Sequence, residues 1–235
     1  TATMNRRYRA LLMLLVAAVN PTSPVVASAD TVRFVEVTQE AGIDFRYING
    51  ASGRKYMPEA VGSGAAFLDA DGDGWLDLYI VNGAALPGYT GATGPNALFR
   101  NDGDGTFTDF TSDSGTGDTG FGMSAAVGDV DNDGDPDLYV GNYGANVLYR
   151  NDGDAQFSDI TTEANVGDSG WGSHATFADV DHDGDLDLYV ANYMEFQPDT
   201  ARECFRGEAR EYCGPNTYPG QSGVLYRNDG DLLFT

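Results

Sequence analysis

The chain has 235 residues, with 36 acidic against 13 basic side chains and a formal net charge of −23. A surface that negative repels nucleic acid and anionic lipid, which makes both poor partners, and it attracts cations. Hydrophobic residues make up 41% of the chain, and 31 glycines with 11% aromatics point to a core of short strands and tight turns rather than long helices. Acidity alone also suits a merely soluble protein, so the spacing of the carboxylates has to decide.

The first 29 residues differ in composition from the rest. They hold no acidic residue, and Arg6, Arg7 and Arg9 follow Met4. The apolar run Ala10–Val19 is broken at Asn20-Pro21, and Ala27-Ser28-Ala29 fits a signal peptidase site. Residues 1–29 are therefore expected to be a signal peptide, with Thr1–Thr3 upstream of its methionine. The mature chain would run over residues 30–235, secreted to an extracellular or periplasmic space. The apolar run is roughly half of the ~20 residues that span a bilayer, so no stable membrane insertion is expected after cleavage. Export by the general or the twin-arginine route remains open.

Three segments of the mature chain align without gaps: FLDADGDGWLDLYIVN from Phe67, VGDVDNDGDPDLYVGN from Val127 and FADVDHDGDLDLYVAN from Phe177. Their first aspartates, Asp69, Asp129 and Asp179, are 60 and 50 residues apart. A second motif follows each: NALFRNDGDGTFTDFT, NVLYRNDGDAQFSDIT and GVLYRNDGDLLFT. In the second unit, Gly122–Gly128, Leu138–Val140, Val147–Tyr149 and Phe157–Thr161 read as four short strands separated by turn signals. Four antiparallel strands per unit of about 50 residues predict an all-β propeller blade. About three such blades are expected, as an open arc, with Phe34–Thr38 repeating the outer-strand motif without a blade of its own.

Each loop reads D-x-D-x-D-G-x-x-D. Four carboxylates within nine residues repel one another unless a cation sits among them, and hard oxygen donors in a flexible loop favour calcium. The predicted ligands of the first site are Asp69, Asp71, Asp73, the Trp75 carbonyl and a closing Asp77. The second uses Asp129, Asp131, Asp133, the Asp135 carbonyl and Asp137. The third uses Asp179, Asp181, Asp183, the Asp185 carbonyl and Asp187. About three calcium ions are expected. An EF-hand would need glutamate at position twelve and flanking helices; that position holds Ile80, Val140 or Val190, each in a predicted strand.

Other signals read as structure. Gly115–Gly120 matches G-x-G-x-x-G but leads into a strand rather than a helix, which makes it an inter-blade connection. The Asn-Asp-Gly-Asp stretches at 101, 151 and 228 read as hairpin turns. Ser173-His174 are neighbours on a strand and point to opposite faces, so they form no dyad. Cys204 and Cys213 share one polar segment and are expected to form a local disulfide in an oxidising compartment.

The repeated D-x-D-x-D-G-x-x-D-L-Y-V followed by L-[FY]-R-N-D-G-D-x-x-F resembles the FG-GAP/VCBS repeat of integrin-like, calcium-binding propellers. Two further stretches, Tyr47–Asp69 and Glu211–Asp231, resemble proteins that pair these repeats with a C-terminal ASPIC/UnbV domain, the cartilage acidic protein-like family. The resemblance spans Phe34–Thr235 and implies that the aspartates named above are the calcium ligands. The matched C-terminal domain is not in this sequence. The leading expectation is a non-enzymatic extracellular scaffold for adhesion or for binding a protein or glycan. The alternative is a propeller enzyme acting on polysaccharide, such as a lyase. The 194–222 insertion carries Arg202, Arg206, Arg210 and both cysteines, and reads equally as a partner-binding loop or a disulfide-stapled flap.

Overall fold

The computed structural model describes residues 32–230 and 232–235. The expected signal peptide at 1–29 lies outside the described residues. The chain divides into two units, Thr1–Glu36 and Val37–Thr235. Of the first, residues 32–36 are described; they are exposed and form no strand.

In the second unit the first two repeats fold as expected. The first gives β1 (Ala65–Leu68), β2 (Asp77–Ile80), β3 (Ala97–Asn101) and β4 (Phe107–Asp109), an antiparallel sheet in chain order. The second gives β5 (Phe121–Gly128), β6 (Asp137–Tyr143), β7 (Val147–Asn151) and β8 (Phe157–Asp159), with the same order. The third contains β9 (Gly172–Ala178) and β10 (Asp187–Asn192). Its insertion forms the hairpin β11 (Cys204–Arg206) and β12 (Ala209–Glu211), and β13 (Val224–Tyr226) then completes the order β9-β10-β13. This third sheet departs from the four-strand expectation. Among the described residues, an Asn228–Phe234 bridge, with Arg227 and Thr235 exchanging backbone hydrogen bonds, stands where β4 and β8 lie in the others.

The inner strands pack side by side, β5 against both β1 and β9, so Val37–Thr235 is an open arc of propeller-type blades with no closed sheet. One apolar cluster fills the join between the first and second sheets, with Leu68, Tyr79 and Leu98 against Leu138, Val140 and Tyr149. Another fills the second join, with Tyr139 and Leu148 against Leu188 and Val190. The middle strand β6 is covered on both faces, which is why D-L-Y-V reads as a continuous apolar run rather than an alternating one. Each fully buried Leu or Val there contributes about 1.5–3 kcal/mol.

The register fixes two ends. Gly128 pairs with Asp137 at the aspartate-loop end, and Phe121 pairs with Tyr143 at the other. The insertion leaves and re-enters the third sheet between Asn192 and Val224, at the end away from the loops. There Tyr56, Phe121, Trp171, Met194 and Phe196 form a third apolar cluster. Trp171 and Phe196 meet edge to face at 6.1 Å, and Phe196 meets Tyr218 at 5.3 Å. The Cys204–Cys213 disulfide is formed and staples the β11–β12 hairpin.

Candidate metal centre

The three aspartate loops join β1 to β2, β5 to β6 and β9 to β10. Each is shaped by its own backbone. The first aspartate accepts the N–H of the glycine five positions on: Gly74 to Asp69 Oδ2 (3.0 Å), Gly134 to Asp129 Oδ2 (3.1 Å) and Gly184 to Asp179 Oδ2 (3.3 Å). The third aspartate accepts the N–H two positions on: Trp75 to Asp73 (2.8 Å), Asp135 to Asp133 (2.9 Å) and Asp185 to Asp183 (3.0 Å). These loops require left-handed backbone at the fourth position, occupied by Gly72, Asn132 and His182, and again at Gly74, Gly134 and Gly184. His182 thus has a conformational role in the loop.

Carboxylate oxygens of Asp69, Asp71 and Asp73 lie within 4.8 Å of one another in the first loop. The same holds for Asp129, Asp131 and Asp137 in the second, and for Asp179, Asp181 and Asp187 in the third. Asp77, Asp133 and Asp183 stand outside these groups of three. Trp75, Asp135 and Asp185 occupy the position expected to offer a carbonyl, and their side chains lead elsewhere. A Cβ on Gly103 would come within 2.9 Å of Trp75 Nε1, and the Asp185 carboxylate accepts the Asn132 amide at 2.7 Å.

The closing aspartates are buried struts. Asp77 accepts Ala70 N–H (2.9 Å) and Asn101 N–H (2.7 Å). Asp137 accepts Val130 N–H (2.7 Å) and Asn151 N–H (2.8 Å), and Asp187 accepts Val180 N–H and Asn228 N–H, both at 2.9 Å. Both oxygens of each are thus engaged, and each keeps a further lone pair for a cation. Burial raises the Asp137 carboxyl to about 7, opposed by the two backbone N–H groups and reinforced by Asp131 and Asp133. Burial also raises Asp77, and it raises Asp131 with help from Asp133.

The donor set fits a divalent cation. It is all oxygen and all carboxylate, and one member, Asp69 Oδ1, is buried with no hydrogen-bond partner. A positive ion is the partner that such an orphaned acceptor among like charges lacks.

Two features were not apparent from sequence. The Asn-Asp-Gly-Asp turns do more than reverse the chain: Asn151 and Asn228 are fully buried and reach the loop of the preceding repeat through their side chains. The residue-type signal was there, since asparagine recurs at 101, 151 and 228. Glu59 is the second. It is buried and accepts Ser52 N–H (3.0 Å), the Ser52 hydroxyl and the Tyr212 hydroxyl (3.4 Å), tying the 52–59 segment to the insertion. Arg100, Arg150 and Arg227 pair with Asp102, Asp152 and Asp229 two residues on, as surface ion pairs.

No curated protein matches this sequence. A family model described as FG-GAP-like repeat matches residues 69–140 and 129–190, each match running from the first aspartate of one loop to the strand after the next. Together the matches cover more than half of the chain. The protein belongs to the FG-GAP-like repeat family.

Proposed function

We propose that the chain is an extracellular calcium-binding propeller scaffold, with residues 1–29 as its export signal and one calcium ion in each aspartate loop. The observation that carries this is the threefold recurrence, in register, of a carboxylate cluster at one end of the sheets. The Cys204–Cys213 disulfide supports an oxidising compartment. Among the described residues, no helix is long and apolar enough to cross a membrane. The Tyr47–Asp69 and Glu211–Asp231 stretches support the finer placement beside the ASPIC/UnbV, cartilage acidic protein-like proteins.

The ions are structural and the work is binding rather than catalysis. We place the contact with an extracellular protein or glycan at the opposite end. There a cleft of about 540 Å³ is lined by Phe196, Gln197, Arg202, Tyr218 and Gln221. Arg206 and Arg210 of the insertion are ion-paired to Glu211 and Glu203, whereas Arg202 makes no ion pair with a described residue. Aromatic rings beside amides and an unengaged guanidinium suit a hydroxyl-rich ligand. Thermal melting of the purified chain tests the metal reading. The melting temperature should rise with calcium in the micromolar to millimolar range, because a ligand bound only by the folded state stabilises it. No change between calcium and excess chelator would refute it.

A further inference from the structure

Asn151 connects two repeats. Its backbone N–H donates to Asp137 Oδ1 in its own repeat at 2.8 Å. Its side-chain amide donates to the Ala70 carbonyl in the loop of the preceding repeat at 2.9 Å. Ala70 N–H in turn donates to Asp77 Oδ2 at 2.9 Å. The next join repeats this arrangement. Asn228 N–H donates to Asp187 Oδ1 (2.9 Å), its amide to the Val130 carbonyl (2.9 Å), and Val130 N–H to Asp137 Oδ2 (2.7 Å). An unbroken series of hydrogen bonds therefore runs Asp77–Ala70–Asn151–Asp137–Val130–Asn228–Asp187. The Ala70 carbonyl also accepts Ala155 N–H at 3.0 Å, with Ala155 held at a φ of +56° to reach it. A non-glycine residue adopts that conformation at a cost, which marks the contact as over-determined by its surroundings.

We propose that Asn151 and Asn228 are positioning residues for the metal loops on both sides of them, so that occupancy of one loop strengthens cation binding at the next. The inference rests on the calcium reading above. A loop emptied of its ion is spread by its own carboxylates, and the Ala70 or Val130 carbonyl moves with it. The fully buried amide of the next repeat then loses the closer of its two acceptors and keeps only the longer bond to Pro136 or Leu186 of its own repeat (3.3 and 3.4 Å), which is costly in a site closed to water. Filling one loop removes that cost and pre-forms the closing aspartate of its neighbour. The benefit is reciprocal by thermodynamic necessity.

The test counts ions on the full chain by native mass spectrometry through a calcium titration, beside a calorimetric titration. The unsubstituted chain should pass from the empty to the three-ion form with few one- and two-ion species. Asn151→Asp keeps the oxygen that accepts Gly153 N–H at 3.1 Å but removes the amide donor. It should still take three ions, with partly filled species now abundant and affinity in the neighbouring loops weakened at least about fivefold. Asn101→Asp is the control, because the Asn101 amide donates to Leu76 within its own repeat. Because Asn101 N–H also holds Asp77, any loss should fall on the first loop alone, with the second and third loops still filling together. Asn228→Asp provides a second variant should Asn151→Asp fold poorly by circular dichroism. Three ions distributed statistically in the unsubstituted chain, or Asn151→Asp and Asn101→Asp behaving alike, would overturn the coupling while leaving the calcium sites standing. No bound ion at all would refute the calcium reading itself, and the coupling with it.

Discussion

The Tyr139 hydroxyl donates to the Val166 carbonyl at 3.0 Å, fastening the second sheet to the segment that leads into the third. Tyr79 makes the same bond to Thr116, also at 3.0 Å, at the preceding join. Tyr189 holds the corresponding position on β10 and is 45% exposed, where Tyr79 and Tyr139 are 0% exposed. Buried phenols resist ionisation: burial raises Tyr79 and Tyr139 well above the usual tyrosine range and pushes Tyr143 up to about 12.

These tyrosines make the fold sensitive to alkali. Their folded pKa values lie above the unfolded value of about 10, so the folded state binds the proton more tightly. The stability they contribute is complete below pH about 10 and is lost progressively above it, as the unfolded chain ionises while the buried phenols hold their protons. Denaturant midpoints should hold between pH 8 and 9.5 and fall steeply between 10 and 12. A midpoint flat across that upper window would show that the phenols are not enclosed as described.

Equivalent leucines should differ in cost according to their join. Leu148 is 0% exposed between the second and third sheets, and Leu225, at the same place on β13, is 54% exposed. Leu148→Ala should destabilise by about 2–5 kcal/mol, through lost burial and the cavity left behind. Leu225→Ala should cost under about 1 kcal/mol. Equal losses in calcium-saturated denaturation would contradict the described packing of the third sheet.

Reduction of Cys204–Cys213 should act locally. The bridge closes a short loop, for which chain entropy gives roughly 2–3 kcal/mol. Hydrogen exchange after reduction should quicken across residues 202–213 and stay unchanged in β5–β8. Faster exchange in the second sheet would mean that the hairpin supports the whole arc.

The strands and loops were legible because the sequence repeats and because the second blade buries both faces of its middle strand β6. The third sheet was less so. An insertion of polar and aromatic residues between β10 and β13 has no repeat to be compared with, and its contact with Glu59 joins residues far apart in the chain. The coupling asparagines were hidden for a different reason. Asn-Asp-Gly is sufficient for a turn on local grounds, and nothing local reveals that the same amide faces a carbonyl on another sheet.

Within one loop, ligand and strut should separate. Asp181 belongs to the third carboxylate cluster, whereas Asp187 also holds the Val180 and Asn228 N–H groups. Asp181→Asn should remove calcium from this loop and leave the calcium-free melting temperature nearly unchanged. Asp187→Ala should lower the melting temperature with and without calcium, since it leaves the buried Asn228 N–H and the half-buried Val180 N–H unpaired. Equal effects of both in chelator would show that Asp187 is no strut.

The central claim is that the three loops are calcium sites. Equilibrium dialysis of the chain against calcium, with the bound ion counted by atomic emission, tests it most directly. Three calcium ions should be bound per chain, falling to two in Asp181→Asn. A count of zero at millimolar free calcium, or a count that Asp181→Asn leaves unchanged, would contradict it.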